Sequence, residues 1–426
     1  MTPGRDLARR LFREIAARTA DPPGVTRVAY GEGEEEAHTI VAEAAQAFGA
    51  ERRHDAAGNL YLVLAGKDRG RVLLVGSHLD SVPHGGDYDG VAGVLMGLAL
   101  MADLAASGRT PPCDLAVVCL RAEESCWFPY SYIGSKSALG LLDPAVLDEV
   151  SRSDDGQSLA AHIARLGHDP GAVRRGARLY EPDRIAGYIE PHIEQAPSLT
   201  DADVPVGLVT GIRGSVRFRR IAVTGAYAHS GAEPRALRRD AGLAGARLIT
   251  EMHEFWDRME AEGRDLTVTF GEISTDPAEH GFSKVPGFLH LCLDIRSEEP
   301  GSLELAEAEL RDMAVRIAGE TGCGIDLGPR TNSLPAPLSR RMRDCFEEAA
   351  SSRGILTLTM PSGAGHDAAT YAQAGVPAAM LFIRNRNGSH NPDEAMDFTD
   401  FDAALTVLET ALGDPRLIAR EATVAA

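Results

Sequence analysis

From Arg71 to Gly90 the chain reads RVLLVGSHLDSVPHGGDYDG. The first part is a short, continuous apolar run, which is typical of a strand that is buried on both faces. His78 follows at the point where such a strand ends, and a loop rich in glycine, histidine and aspartate comes next. After the loop, a helical spacing connects Val91, Val94, Leu95, Leu98 and Ala102. The stretch therefore predicts a strand, a polar loop and a helix in succession.

Apolar strands that run into polar residues recur along the chain. The segment DLAVVCLRAEE ends in Glu123 and Glu124, IAGYIEPHIEQ contains His192, and VPAAMLFI leads on towards His390. Strands that alternate with helices indicate an α/β fold, here with a central mixed sheet flanked by helices. Because ligands bind such sheets at the ends of the strands, we expect these side chains to converge there.

The interval from Gly211 to Gly328 has a different pattern. SVRFRRIAVTG, LTVTFGEI and GFLHLCLDIRS have the character of strands, and two helical stretches, Ala241 to Glu260 and Ser302 to Gly319, accompany them. This pattern predicts a smaller α+β domain inserted into the larger one. The predicted division is residues 1–210 with 329–426 for the larger domain and 211–328 for the insertion.

The composition excludes several classes of protein. The 426 residues include 62 acidic and 43 basic ones, a net charge of −19, which disfavours a nucleic-acid or anionic-membrane partner and fits a small substrate better. The first thirty residues lack the apolar core of a signal peptide, and no later run approaches about 20 apolar residues, so we expect a cytoplasmic protein. The six cysteines form no CxxC pair, so any metal site must use histidine and carboxylate ligands.

The glycine-rich loop has the residue types of a metal site. Zinc and related ions take imidazole nitrogen and carboxylate oxygen, and a pair of ions about 4 Å apart needs a carboxylate that bridges them. Asp89 is the candidate bridge, because the glycines let the chain turn back so that His78 and Asp89 face one point. Asp80 lies where its side chain can orient a ligand. Taken alone, the loop is explained equally well as a polar turn.

Two adjacent glutamates and two histidines complete the set of candidates. Glu123 and Glu124 end an apolar strand, where neighbouring side chains point to opposite faces, so that one can bind metal while the other holds the attacking water. A pair of this kind is more often a solvated strand end. His192 and His390, each taken separately, are also more often ordinary polar residues than ligands. The order of the whole set is what favours a metal centre.

That order resembles a known family, the M20 metallopeptidase-like amidohydrolases. The similarity is greatest to the hydantoinase/carbamoylase branch, which holds N-carbamoyl-L-amino acid hydrolases, β-ureidopropionases and allantoate amidohydrolases. It extends from Gly24 to Met396. The motifs that carry it are GSHLDSVPHGGDYDG, RAEES, HIEQAP, GAYAHSG, LDIRS, SGAGHDA and NGSHNPDE.

The resemblance implies a role for each candidate ligand. His78, Asp89 and His192 would bind one divalent ion, and Glu124 and His390 would complete a pair in which Asp89 is shared. Glu123 would be the general base that acts on the attacking water. Family members use zinc, manganese, cobalt or nickel, two ions per subunit. The resemblance also implies that the inserted domain is a lid and dimerisation domain, which predicts a homodimer.

Further residues are implied as contacts of the substrate. His229, in GAYAHSG, would reach the oxyanion, in relatives often from the partner subunit, although without the resemblance it is more simply the end of a strand. Arg296 would clamp a substrate carboxylate, and an exposed salt bridge is its alternative. Gln195 is expected near the carbamoyl or acyl group, and His366 near the metal pocket.

Two departures from the family bear on the substrate. Many relatives carry arginine at the position of Trp127 and asparagine at the position of Ser283, so this chain has a more apolar residue beside the glutamates and a shorter polar one in the lid. Trp127 is equally explained by core packing. The leading hypothesis is an N-carbamoyl-L-amino acid hydrolase that releases the amino acid, carbon dioxide and ammonia. The alternatives are allantoate, β-ureidopropionate or N-acyl amino acid hydrolysis, and a catalytically silent protein that binds an amino acid.

Overall fold

The structure is a computed structural model and describes residues 2–419. The first part of the chain contains α1 (Pro3–Arg18), β1 (Ala20–Asp21), β2 (Gly24–Val25), α2 (Glu32–Gln46), β3 (Glu51–His54), β4 (Leu60–Leu64), β5 (Asp68–His78), α3 (Val91–Ala106), β6 (Cys113–Leu120), α4 (Ile133–Ala138), α5 (Val146–Glu149), α6 (Leu159–Arg165), α7 (Pro170–Arg174), β7 (Ile185–Ile193), α8 (Ser198–Asp201) and β8 (Val206–Ile212). The middle part contains β9 (Gly214–Thr224), β10 (Ala228–His229), α9 (Ala241–Ala261), β11 (Thr267–Thr275), β12 (Lys284–Val285), β13 (Phe288–Ser297), α10 (Pro300–Thr321), β14 (Gly324–Asp326) and β15 (Arg330–Ser333). The last part contains β16 (Ala336–Pro337), α11 (Arg340–Ser352), β17 (Thr357–Ser362), α12 (Asp367–Gln373), β18 (Ala378–Ile383), β19 (Asn385–Arg386), β20 (Ala395–Met396) and α13 (Phe398–Ala411).

The chain forms two compact units. One contains the residues up to Thr210 and those from Pro337 onwards, and the other contains Gly211–Ala336. The second boundary therefore lies eight residues beyond the predicted end at Gly328. The difference arises because β15 pairs with β9 and so extends the sheet of the inserted unit. The expected roles, catalysis for the larger unit and a lid and dimerisation domain for the inserted unit, stay predictions.

The larger unit is built on a mixed sheet, as predicted, and the sheet has nine strands within residues 2–419. Its strand order is β16-β8-β18-β7-β5-β6-β4-β3, with β17 also paired to β8. The central strands β18, β7, β5 and β6 are parallel, whereas β4 and β8 are antiparallel to their neighbours. Every residue of β6, β7 and β18 is buried, which is the expected state of parallel strands covered on both faces. Helices α3 and α12 are among those that pack against this sheet.

The inserted unit has its own antiparallel sheet and its own core. The strand order is β11-β13-β9-β14, with β15 paired to β9, and helices α9 and α10 pack against the sheet. In β13 the predicted alternation is present, since Leu289, Leu291, Leu293 and Ile295 are buried and the intervening residues are half-buried. Asp240 caps α9 by accepting a hydrogen bond from the Leu243 N–H at 3.0 Å. Within residues 2–419, no helix combines the length and the apolar character needed to cross a membrane.

Candidate metal centre

Four parallel strands deliver the candidate ligands to one edge of the large sheet. His78 is the last residue of β5, and His192 is the penultimate residue of β7. Glu123 and Glu124 follow β6 after a turn at Ala122, which has a left-handed φ of 50°. His390 lies in the loop between β19 and β20, which follows β18. Parallel strands end at the same edge of a sheet, so residues that are far apart in the sequence meet there.

A first group of three side chains surrounds one oxygen of Asp89. The Oδ1 atom of Asp89 lies 3.4 Å from Nε2 of His78 and 3.3 Å from Nε2 of His192. All three residues are buried. Burial raises the pKa of the Asp89 carboxyl, but the two histidines outweigh burial and hold that pKa well below its usual range.

A second group shares Asp89 and uses its other oxygen. The Oδ2 atom of Asp89 lies 3.6 Å from Nε2 of His390, which in turn lies 3.2 Å from Oε1 of Glu124. The ligand atoms within each group lie within 4.8 Å of one another. The hydrogen bond with Glu124 raises the pKa of His390 to about 9. Asp89 therefore joins the two groups, one through each carboxylate oxygen.

The tautomers of the two buried histidines fit a divalent cation. Nδ1 of His78 lies 3.1 Å from the carbonyl oxygen of Asp80, and Nδ1 of His192 lies 2.9 Å from that of Ile193. A carbonyl oxygen only accepts, so Nδ1 carries a proton in both rings, and a ring that gives up its second proton on binding a cation keeps its lone pair on Nε2. The Gly90 N–H donates to Nε2 of His192 at 3.2 Å, in agreement with this assignment. Imidazole Nε2 and carboxylate oxygens are the ligands that zinc and related ions take.

Asp80 connects the loop to the two glutamates. Its Oδ1 accepts a hydrogen bond from the Glu123 N–H at 3.2 Å, and its Oδ2 accepts one from the Glu124 N–H at 3.1 Å. Oδ1 also lies 3.4 Å from Nδ1 of His78. Asp80 is fully buried, so it holds these three residues without direct access to a substrate.

Glu123 points into the first group of ligands. Its Oε2 lies 3.9 Å from Nε2 of His78. Burial raises the pKa of Glu123 well above its usual range, and the carboxylates of Glu124, Asp367 and Asp80 raise it further, while His78 opposes them. This carboxyl group is therefore suited to accept a proton and to give it back.

Gln195 contacts the shared carboxylate. Its Nε2 donates to Oδ2 of Asp89 at 2.8 Å, and its backbone has a left-handed φ of 66°. Ser389 and Glu394 also contact the site, and no sequence pattern singled them out within the motif NGSHNPDE. Ser389 Oγ is hydrogen-bonded to Asp89 and to Glu394, and Glu394 accepts hydrogen bonds from the backbone N–H groups of Tyr88 and Asp89.

His366 and Trp127 are both buried but have different neighbours. The His366 ring packs edge-on against that of His192, with centroids 4.6 Å apart, so it lies beside the first group of candidate ligands. Trp127 packs in a core cluster with Tyr30 and Phe128, and its indole N–H donates to the Ser81 carbonyl at 2.7 Å. The structure thus favours the packing alternative for Trp127 over contact with a substrate.

The remaining candidates belong to the inserted unit. His229 is exposed, and its Nδ1 accepts hydrogen bonds from the N–H groups of Gly231 and Ala232, each at 3.2 Å, so Nε2 carries the ring proton. Ser283 lies close by, because its carbonyl oxygen accepts a hydrogen bond from the Ser230 N–H. Arg296 forms a salt bridge to Asp294 at 2.9 Å. A salt bridge was the alternative to substrate binding that the sequence left open for this residue.

Comparison with known proteins assigns the family. Residues 74–414 match the model of peptidase family M20/M25/M40. The chain belongs to this family. It is 33% identical to an N-carbamoyl-L-amino-acid amidohydrolase of Paenarthrobacter aurescens, over 91% of this chain and 92% of that protein. It is 31% identical to an allantoate amidohydrolase of Bacillus subtilis, over 87% and 88% of the two chains.

A solved structure supports the same assignment. An amidase of the hydantoinase/carbamoylase family from Burkholderia multivorans superimposes with a TM-score of 0.86 and 27% identity, over 96% of this chain and 97% of that one. The predicted resemblance and fold class are confirmed. The protein is an amidohydrolase of this family, and its two groups of histidine and carboxylate ligands could hold metal ions.

Proposed function

We propose that this protein hydrolyses the linear amide bond of N-carbamoyl-L-amino acids with the help of two divalent metal ions. The observation that carries the proposal is the sharing of Asp89 between two groups of ligands, with Glu123 directed at one of them. The relatives named as N-carbamoyl-L-amino-acid amidohydrolases support the choice of substrate.

His78, Asp89 and His192 would hold one ion, and Asp89, Glu124 and His390 the other. When bound, such ions polarise a carbonyl group and lower the pKa of a water molecule. Zinc is the leading candidate, with manganese, cobalt and nickel as alternatives, because imidazole and carboxylate ligands suit all of them. A homodimer and a cytoplasmic location stay predictions.

The proposed reaction gives separate roles to Glu123, Asp80, His229 and Arg296. Glu123 accepts a proton from water, the oxygen of that water adds to the carbonyl carbon, and Glu123 gives the proton to the leaving amino nitrogen as the C–N bond breaks. The products are the free amino acid and carbamic acid, which decomposes to carbon dioxide and ammonia. Asp80 orients Glu123 by accepting a hydrogen bond from the Glu123 backbone N–H. His229 donates from Nε2 to the oxyanion, and Arg296 exchanges Asp294 for the substrate carboxylate.

A second candidate is hydrolysis of allantoate or a related ureido compound. It is favoured by the relatives named as allantoate amidohydrolases and ureidoglycolate hydrolase. The machinery around Glu123 would be the same, and only the pocket for the rest of the substrate would differ. β-Ureidopropionate and N-acyl amino acids are further substrates of the same chemistry, and an amino-acid-binding protein without turnover is the non-enzymatic alternative.

The test is a panel of substrates. Purified protein loaded with Zn²⁺ or Mn²⁺ is incubated with N-carbamoyl-L- and D-amino acids, allantoate, ureidoglycolate, β-ureidopropionate and N-acetyl amino acids, and ammonia or acetate release is measured. We expect the largest kcat/KM on an N-carbamoyl-L-amino acid. Turnover of allantoate alone would replace the leading substrate, and turnover of none of the panel would favour the binding protein.

A further inference from the structure

Arg27 is a buried cation beside the candidate metal centre. Its side chain has no exposed surface, and its Nε donates to the Leu79 carbonyl at 2.6 Å. Its backbone N–H donates to Oγ of Ser81 at 2.9 Å, and its carbonyl oxygen accepts a hydrogen bond from the Ser81 N–H at 3.0 Å. Its two terminal nitrogens have no hydrogen-bond partner within residues 2–419. Arg27 is therefore fastened to the loop that carries the candidate ligands, but among the described residues no carboxylate forms a direct ion pair with it.

The charge of Arg27 is balanced from a distance. Burial lowers the pKa of the Arg27 guanidinium, and nearby carboxylates oppose this effect. The carboxylates are those of Asp80, Asp87, Asp89 and Glu394. A buried cation costs free energy unless negative charge surrounds it, and crowded carboxylates repel one another unless a cation is near. The negative charge of the carboxylates therefore lowers the cost of burying Arg27, and the positive charge of Arg27 reduces the repulsion among them.

We propose that Arg27 is a positioning residue whose buried positive charge stabilises the acidic loop from Asp80 to Asp89 before metal ions bind. The inference rests on the metal centre of the proposed function. Arg27 holds the loop by its hydrogen bonds to Leu79 and Ser81 and offsets the repulsion among the carboxylates. It touches neither substrate nor the reacting atoms in this role.

An electrostatic role for Arg27 predicts a different effect on metal binding from a role in packing alone. Arg27 and a bound cation are attracted by the same carboxylates and repel each other. By linkage, removal of the Arg27 charge must therefore destabilise the metal-free protein more than the metal-loaded protein, and must tighten cation binding. A side chain that only fills space would weaken both states alike, because its contacts do not depend on the ions.

The experiment compares charge-removing and charge-keeping variants. Arg27→Gln removes the charge and keeps a polar side chain, and Arg27→Lys keeps the charge. Arg5→Gln is the matched control, because Arg5 is a mostly buried arginine that pairs with Asp103 and Glu409 on another part of the unit. Unfolding temperature is measured with chelator and with Zn²⁺, and the Kd for Zn²⁺ is measured by competition with a chromogenic chelator.

We expect Arg27→Gln to lower the unfolding temperature mainly in chelator and to bind Zn²⁺ about tenfold more tightly. Arg27→Lys should resemble the wild type, and Arg5→Gln should lower both unfolding temperatures with an unchanged Kd. Unchanged or weaker Zn²⁺ binding by Arg27→Gln, a lysine variant that behaves like the glutamine variant, or failure of Arg27→Gln to fold even with Zn²⁺ would overturn the role of Arg27. Absence of Zn²⁺ binding by the wild-type protein would instead overturn the metal centre itself.

Discussion

At the scale of single residues, the two adjacent glutamates show how one strand end serves two tasks. Glu124 faces His390 in the second group of ligands, whereas Glu123 faces His78 in the first. Both residues lie beyond the end of β6 at Leu120, after the turn at Ala122, and Asp80 accepts hydrogen bonds from the backbone N–H groups of both. The side chains can therefore differ in role although they are chemically identical.

Glu123→Gln tests this division of roles. The amide has almost the same shape but cannot accept a proton, so we expect kcat to fall by about 10²- to 10⁴-fold while metal content stays that of the wild type. Steady-state kinetics and elemental analysis of the purified variant provide the measurement. Glu43→Gln, the same change at an exposed position of α2, should leave kcat unaltered. Normal turnover by Glu123→Gln would exclude Glu123 as the base.

At the scale of elements, the site depends on how closely helix α3 approaches the sheet. A Cβ atom at Gly93 would lie 2.2 Å from the carbonyl oxygen of Pro191, which directly precedes His192 in β7. The glycine thus permits a contact between helix and strand that any side chain would block. The position of His192 is set partly by this contact.

Gly93→Ala should therefore destabilise the protein. Overpacking of this kind costs about 1–3 kcal/mol of the free energy of unfolding, and denaturant titration measures the loss. Gly319→Ala is the matched control, because it makes the same change in helix α10 where, apart from the adjacent residues and the backbone of the helix itself, nothing lies within 4 Å of the new Cβ. That variant should be neutral or more stable by about 0.5–1 kcal/mol. Equal stability of Gly93→Ala and the wild type would show that α3 can move away from β7 without cost.

A group of histidines outside the candidate metal centre includes His38 on α2, His54 on β3 and His168 in the loop before α7. Both ring nitrogens of His38 are buried and lack a hydrogen-bond partner within residues 2–419. His54 and His168 lie with ring centroids 5.3 Å apart. Burial, together with the positive charges of Arg52 and the other cations nearby, lowers the pKa of His54 to about 4. These rings are therefore neutral in the folded protein at neutral pH.

This arrangement predicts a loss of stability in acid. The pKa of His54 falls from 6.5 in the unfolded chain to about 4 in the folded one, so the unfolded chain binds more protons as the pH drops through this window. The stability contributed by the neutral ring is complete above pH 6.5 and is lost towards pH 4. In His54→Gln, the difference in unfolding free energy between about pH 7.5 and about pH 4.5 should shrink. His280→Gln, at an exposed position, should leave that difference as in the wild type. If the difference is also unchanged in His54→Gln, the loss of stability in acid does not come from His54.

At the scale of the whole molecule, the chain divides into two units with separate cores. The inserted unit has a sheet whose edge strand β11 pairs only with β13 among the described strands. Ile273, on that strand, is 55% exposed. An exposed edge strand with an apolar side chain is a surface that proteins usually cover.

In the predicted homodimer, the partner subunit would cover the exposed edge of β11. We expect light scattering to give twice the mass of the chain, because symmetric pairs are the commonest assembly and β11 offers an unpaired edge. Ile273→Lys should shift the protein towards the monomer by placing charge on that edge, whereas Val315→Lys, on the exposed side of α10, should not. A fully active monomer of the wild-type protein would contradict the dimer and any role for His229 across it.

The sequence by itself predicted the alternation of strands and helices and the inserted α+β unit, and its resemblance to the family implied the four side chains that lie around Asp89, namely those of His78, Glu124, His192 and His390. Apolar periodicity and residue chemistry are local properties, and strands of one parallel sheet must end at one edge. Only the tertiary structure decided that Gln195 and Ser389 hold Asp89, that Trp127 belongs to the core, that β15 extends the inserted sheet and that Arg27 is hydrogen-bonded to the loop at Leu79 and Ser81. The physical reason is that these features depend on contacts between distant segments, such as Ser389 with Asp89 across 300 positions, and no local pattern encodes them.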